Sequence, residues 1–436
     1  MNKNSWNLLM PGIFLVSLTL NPVGGQALAR EGDESQVRVR ELISQNQNLE
    51  RRLKRIEEKL SQKKKSVNEA SSSQAGGRKW ESEANGFLTG LGSRIDFSGL
   101  VEFGGAWQEV EKVSGDQEEE SDLALTTVEL AIGAEVSPWV NLETVLLYED
   151  PTFDQDESSI DLDVAALTLG NTERYPFYLS AGKMYVPFGA LLTHMPDDPL
   201  QDSPLTLAMG EASEKAVLLG LDYQGLSLSG YAFNGDVEES SEDKHIDGYG
   251  FDVNYSASFP VSLSERVKKG EKYPHGKTME MDLLVGASYI SNIAESDGLT
   301  EVIGGEVEDY VAGYAAYLHT GYRGLFLDAE YMTAADEFEV NELPAEGQGA
   351  RPSVWNLETG FNYDWGRNLE VVFKYAGSEE AGALGFPEER YGIGFNQELY
   401  AHTVLSLGYF NDSYENDDTE GRDKRDLIFS QIAVEF

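Results

Sequence analysis

The 436 residues contain no cysteine, which removes disulfides, thiolate metal sites, cysteine nucleophiles and a lipidated cysteine in one step. Long apolar runs are equally scarce. Beyond residue 29 no stretch approaches the 18 apolar residues of a membrane helix, so any later membrane span has to be built from strands. Basic residues are few: 33 Lys and Arg stand against 76 Asp and Glu, a formal net charge of −43. That balance excludes a nucleic-acid partner, which needs a basic face, and works against anionic ligands in general. The five histidines, His194, His245, His275, His319 and His402, are scattered without metal-ligand spacing. No phosphate loop, nucleophile elbow or H-E-x-x-H motif occurs. The expectation is a protein with no cofactor and no metal, and not an enzyme; a Ser–His pair using His319 or His402 has no support in the local sequence.

What is present begins with a leader. Lys3 precedes an apolar run from Leu8 to Leu20, and Ala27-Leu28-Ala29 offers a small-residue cleavage site, the pattern of a secretory signal peptide over 1–29. Residues 30–65 carry an excess of Lys and Arg and a heptad of Val39, Leu42, Asn46, Leu49, Leu53, Ile56 and Leu60, which predicts a short α-helical coiled coil. Asn46 at an a position sets register and oligomer state, while Leu49, Leu53 and Ile56 build the seam and lean toward three or more helices. A basic helix lying on a membrane surface is the alternative. Residues 66–93, rich in Ser, Gly and polar side chains, read as a flexible linker.

From residue 94 to 436 half-apolar strands alternate with short and long connections, and the acidic residues dominate. Val128, Leu130, Ile132, Ala134 and Val136 oppose Thr127, Glu129, Gly133 and Glu135; Trp355, Leu357, Phe361 and Tyr363 oppose Asn356, Glu358, Asn362 and Asp364; Leu369, Val371, Phe373 and Tyr375 oppose Glu370 and Lys374. Period-2 alternation of this kind gives strands with one apolar and one polar face. Sixteen such strands are expected, so the fold class is all-β, a transmembrane antiparallel barrel of about 16 strands. Tight turns at 138–141, 224–225, 323–324 and 366–368 alternate with long acidic connections at 108–121, 150–158, 235–245, 334–350 and 411–424, the asymmetry of an outer-membrane barrel with short periplasmic turns. One long basic connection, 259–278, falls on the short-turn side.

Two stretches carry a resemblance. The chain closes on Ile428, Ile432, Val434 and Phe436 on one face with Gln431 and Glu435 on the other, and this aromatic-ended strand resembles the closing strand of bacterial outer-membrane porins. That resemblance implies that Ile432, Val434 and Phe436 are read by the barrel-assembly machinery. Gly182-Lys183-Met184-Tyr185-Val186-Pro187-Phe188-Gly189, the segment Asp197-Asp198-Pro199-Leu200 and the run from Glu211 through Gly220, together with the leader and coiled coil, resemble the LbtU-type siderophore porin family over most of the chain. The family resemblance implies an outer-membrane channel for ferric siderophores without a plug domain. A homotrimer is expected from the coiled coil, whose symmetry trimeric porins would supply, and contact with membrane lipid from the barrel, while the acidic clusters at 116–120 and 238–239 are expected at most to bridge lipopolysaccharide phosphates through loosely held dications. Pro196, Pro199 and Pro204 exclude a regular strand between 187 and 213. That stretch is then the third outward loop, and its Asp197, Asp198, Asp202 and Glu211 are candidates for a pore constriction. Two readings stay open beside it: a general diffusion porin preferring cations, and a tether joining the outer membrane to the cell wall through the coiled coil. The scarcity of Lys and Arg argues against the basic ladders of phosphate-selective porins.

Overall fold

The computed structural model describes residues 94–150, 159–172, 174–196, 204–239, 246–261, 279–345, 347–364, 367–415 and 418–436. The leader, the coiled coil with Asn46, Leu49, Leu53 and Ile56, and the linker lie outside the described residues, as do Asp197, Asp198 and Asp202.

Sixteen strands close into one antiparallel barrel in chain order. They are β1 (Ile95–Lys112), β2 (Gln117–Ser137), β3 (Val140–Glu149), β4 (Ser159–Gly170), β5 (Phe177–Tyr185), β6 (Ser213–Tyr223), β7 (Leu226–Asn234) and β8 (Gly248–Val261), followed by β9 (Met279–Ile290), β10 (Gly313–Tyr322), β11 (Leu325–Ala334), β12 (Ser353–Asp364), β13 (Asn368–Glu379), β14 (Glu389–Tyr400), β15 (Thr403–Ser413) and β16 (Arg422–Glu435). Closure is made by β16 on β1, from Leu100 opposite Glu435 to Lys112 opposite Arg422. Beyond the last strand residue, Gly99 and Phe436 exchange backbone hydrogen bonds of 3.1 and 3.0 Å. Closure leaves no edge strand whose polar backbone would face lipid. Ile432, Val434 and Phe436 all point outward and are exposed.

The outer face follows from the alternation. Phe97, Leu146, Leu219, Phe251, Leu325, Phe361 and Phe373 are all exposed on it. Trp139, Tyr175, Tyr223, Tyr363 and Tyr400 ring the short-turn end. At the other end a second belt runs through contacting rings, Tyr249 and Phe251 to Tyr289, Tyr289 to Tyr314, and Trp355 through Tyr375 to Tyr391. An apolar band between two aromatic belts is the surface of a barrel that stands in lipid.

Two expected loops are shorter than their acidity suggested. Residues 108–121 are mostly strand: β1 continues to Lys112 and β2 starts at Gln117, with Gln108 opposite Glu120 and Val110 opposite Glu118. On its other side the same length of β1 pairs with Lys424 and Arg425 of β16. The acidic run is thus held extended by a ladder, and Lys112 pairs with Glu118 at 3.4 Å; charge alone had marked it as a loop. The 411–424 loop shrinks in the same way to the residues between Ser413 and Arg422. Conversely, the connection between Ile290 and Gly313 is long. It holds a 3₁₀ turn (Ile293–Glu295) and a helix, called α2 here (Asp297–Ile303), which packs on α1 (Leu205–Gly210) of the third loop.

A second departure concerns the lumen. Inward positions near the long-loop end are apolar: Met184 on β5, Leu218 on β6, Phe233 on β7, Ile290 on β9, Met332 on β11 and Val354 on β12. They form one core with Phe188, Leu205, Met209, Leu299, Phe338 and Leu343 from the loops. Loops therefore fill part of the barrel mouth as a packed hydrophobic plug. Strand β6 announces this in its sequence, since Ala216-Val217-Leu218-Leu219 is apolar on both faces, the mark of a strand covered on both sides.

Candidate functional site

The third loop leaves β5 at Val186 and crosses the lumen. Its attachments lie on β9 and β11 to β14, four to nine strands further round the ring of sixteen. Gly189 N–H donates to Ser288 Oγ at 2.7 Å. Three successive backbone N–H groups, those of Ala190, Leu191 and Leu192, then donate to the Glu330 carboxylate at 2.6, 3.2 and 3.2 Å. A fully buried carboxylate is stable only with such partners, and the backbone must curl to supply them. Leu191 takes a left-handed φ of 52° and Gly189 one of 77°. A Cβ on Gly189 would meet Met332 Cε at 2.1 Å, so the curl and the close approach both require glycine.

Two residues further on, the loop is clasped by side chains. His194 Nε2 lies 2.7 Å from Asp328 Oδ2 and its Nδ1 lies 3.2 Å from Glu370 Oε2. Its ring stacks on Phe326 with centroids 3.7 Å apart. The His194 N–H donates to Glu358 Oε2 at 2.6 Å, and its carbonyl accepts from Asn396 at 2.7 Å. Glu358 also accepts from Thr193 Oγ and from Lys374 Nζ, a pair buried on both sides at 3.1 Å. Asp328 turns its other oxygen to His319 Nδ1, 2.5 Å away. Burial by itself would lower the His194 pKa, but the hydrogen bonds to Asp328 and Glu370 outweigh it and push the value up to about 10.

Beside this clasp, and bordered by it, a cavity of about 660 Å³ remains open, within the range of small-solute sites. Nine carboxylate residues line it, from Glu102, Glu129 and Glu143 on β1 to β3, through Asp163, Glu211, Asp222 and Asp252, to Asp328 and Glu435; no Lys or Arg does so among the described residues. The basic side chains are engaged elsewhere. Arg390 and Arg425 share Asp412 at 2.8 and 2.6 Å, with Arg390 lying 4.8 Å over the Phe410 ring. Arg422 pairs with Asp418 at 2.8 Å, and Lys374 holds Glu358. Each of these four cations is neutralised at close range away from the cavity, and the lining is predominantly acidic, with His194 and His319 on its edge.

Of the residues singled out in the sequence, Glu211 lies on this cavity, and its backbone carbonyl accepts from Asp297 N–H at 2.9 Å. The clasp was not legible. His194 and His319 are 125 positions apart in sequence, Glu358 read only as a polar-face residue, and nothing in the sequence singled out Asp328 or Glu330. The faint signal was three consecutive strands with inward carboxylates at mid-strand, too many charges for a lumen unless something crosses it.

No protein-family model matches the chain. It is 29% identical over 285 residues to a UPF0422 protein of Coxiella burnetii (strain RSA 493 / Nine Mile phase I), covering 64% of this chain and 56% of that protein. It is 25% identical over 314 residues to UPF0422 protein lpg2959 of Legionella pneumophila, covering 67% of this chain and 54% of that protein. The chain thus spans about half the length of the curated relatives it matches. Among solved structures it resembles the anion-selective porin from Comamonas acidovorans, with a TM-score of 0.50 and 11% identity, over 78% of this chain and 99% of that one. The fold is that of a porin-like barrel. The third loop crosses the lumen of this barrel, and the open space beside it is the carboxylate-lined cavity.

Proposed function

We propose that this chain is an outer-membrane channel for passive passage of small solutes, and that it prefers cations. The observation carrying this reading is the cavity lining: nine carboxylates and no Lys or Arg among the described residues. In a narrow, low-dielectric passage such a lining raises the local cation concentration and repels anions. The Comamonas porin is named as anion-selective; at 11% identity its preference does not transfer, and the charge on this cavity argues for the reverse. The chemistry proposed is diffusion, with no enzymatic step.

The finer reading is passage of a ferric siderophore, supported by the resemblance of 182–220 to the LbtU-type family. The cavity chemistry narrows the class to cationic or neutral iron chelates, because a polycarboxylate chelate would meet carboxylates on every side. Asp197, Asp198, Asp202 and Glu211 are proposed to continue the acidic constriction along the third loop. A homotrimer held in part by a periplasmic coiled coil with Asn46 in its seam, lipopolysaccharide against the outward loops, and Phe436 as the assembly signal complete the proposal.

Conductance of the purified protein in planar bilayers tests the reading. A reversal potential of cation-selective sign in a salt gradient, with block by a cationic or neutral ferric siderophore on one side, is expected. Anion selectivity would overturn the cation reading; cation selectivity indifferent to every siderophore would leave a general diffusion channel. Steps arriving in threes that become single after deletion of 30–65 would support the coiled coil as a trimer clamp, and envelope defects without change in conductance would point to a tether.

A further inference from the structure

Besides fastening the loop, the His194–Asp328–His319 cluster has the composition and geometry of a metal site. Two imidazole nitrogens and a carboxylate converge so that one ligand atom from each lies within 4.8 Å of the others. A zinc ion holds such donors at about 2.0–2.2 Å, which places them about 3.4 Å apart in a tetrahedron. Small side-chain movements reach that spacing from the 2.7 and 2.5 Å contacts that the two imidazoles now make with Asp328.

A second observation points the same way. His194 turns Nε2 toward Asp328 and Nδ1 toward Glu370 Oε2 at 3.2 Å, and its ring is stacked flat on Phe326 at an interplanar angle of 15°. A carboxylate behind the far nitrogen of a ligating imidazole fixes its tautomer and raises its basicity, as in carboxylate–histidine–metal triads. Packing that locks the ring supplies the preorganisation such sites need. His194, His319 and Asp328 also border the open cavity, which provides an entry path and room for a water ligand. Two imidazoles and one carboxylate suit first-row transition-metal dications; all-oxygen sets are what Mg²⁺ and Ca²⁺ favour.

We infer that His194, His319 and Asp328 bind one first-row transition-metal dication, with Glu370 as the supporting carboxylate. The ion replaces the bridging protons between imidazole and carboxylate and joins the third loop to β10 and β11 by coordination. The acidic cavity concentrates dications beside it. This inference rests on the cluster and stands independently of conduction, since a chain that binds metal without forming a channel would leave it intact.

The test uses the full-length protein in detergent, stripped with EDTA and titrated with ZnCl₂, CoCl₂ and MgCl₂. Expected are one Zn²⁺ per chain by calorimetry and metal analysis, a visible Co²⁺ absorption band of a four- or five-coordinate nitrogen–oxygen site, and no matching Mg²⁺ binding. His319→Ala should weaken Zn²⁺ at least tenfold and abolish the Co²⁺ band, whereas His402→Ala should change neither. Absence of stoichiometric Zn²⁺ or of the Co²⁺ band in the unaltered protein would overturn the inference, as would Zn²⁺ binding undiminished in both His319→Ala and Asp328→Asn. Because the unaltered protein's spectrum decides by itself, a variant that fails to fold does not protect the idea.

Discussion

The two halves of the lumen are built on opposite principles. Along β9 to β14 the inward face is occupied: Glu330 gathers three loop N–H groups, Glu358 and Lys374 are paired, and His194 bridges Asp328 and Glu370. Along β1 to β5 the inward face carries carboxylates of the same kind, Glu102, Glu129, Glu143 and Asp163, but they border open space. The same kind of side chain therefore fastens the loop on one wall and borders the cavity on the other. The difference is what each carboxylate holds: Glu330, Glu358, Asp328 and Glu370 on β11 to β13 take partners from the third loop, whereas Asp163 on β4 takes the Tyr185 hydroxyl of the neighbouring strand at 2.5 Å and faces the cavity. In the proposed channel it is the cavity-side carboxylates that act on solutes.

The largest blow to this contrast is Glu330→Ala. It leaves three backbone N–H groups in a dry site without their acceptor, each worth about 1–3 kcal/mol, and should cost roughly 3 kcal/mol or more in all. The expected outcome is a marked drop in the temperature at which the folded barrel band is lost in gel assays, together with raised single-channel conductance as the loop leaves the lumen. An unchanged conductance would mean that the loop does not limit the passage.

Next in size is the joint change Glu102→Gln, Glu129→Gln and Glu143→Gln on the open wall. Stability should hardly move, because Gln keeps the size of Glu and an oxygen that can accept the same hydrogen bonds. The reversal potential should shift strongly toward the non-selective value, and more so at low salt, where screening is weak. A selectivity as strong as that of the unaltered chain would place the filter elsewhere.

A smaller effect is expected at Asp297, where α2 meets the plug. Burial raises its pKa to about 6, with Asp163 adding to the shift and Lys183 opposing it. For an acid whose native pKa exceeds its unfolded value of about 4, the penalty is absent below that value. It grows as pH rises and is complete above about 6. Protection factors in 291–304, that is, exchange relative to the intrinsic rate at each pH, should thus be higher at pH 4.5 than at pH 7.5, and Asp297→Asn should flatten most of that dependence. Lower protection at the lower pH would contradict the assigned sign.

The smallest change should come from Glu119→Gln with Glu120→Gln on the exposed start of β2. Surface charges of this sort are worth less than about 1 kcal/mol, so melting and selectivity should both stay within error. A large loss of selectivity here would show that the outer rim, and not the inner wall, sets ion preference.

The barrel was legible in the sequence because lipid on one side and water or a filled lumen on the other impose a period of two on every strand. Phe361 against Asn362 or Phe373 against Lys374 declares its face with no knowledge of its neighbours. Glu211 could be assigned to the third loop from the prolines around it. The acidity of 117–120 misled in the opposite direction, because a run of glutamates looks like a loop until Lys112 and the basic start of β16 are set beside it.

What the sequence determined by itself is therefore local and repetitive: strand faces, their number, the alternation of turns, the aromatic strand that closes the ring, and a charge balance favouring cations. What only the tertiary structure decided is which charges meet. His194 reaches Asp328 and Glu370 across a lumen whose existence depends on all sixteen strands having closed. Contacts between residues more than a hundred positions apart leave no period in the chain, so the filled half of the lumen and the open half were indistinguishable until the barrel was shut.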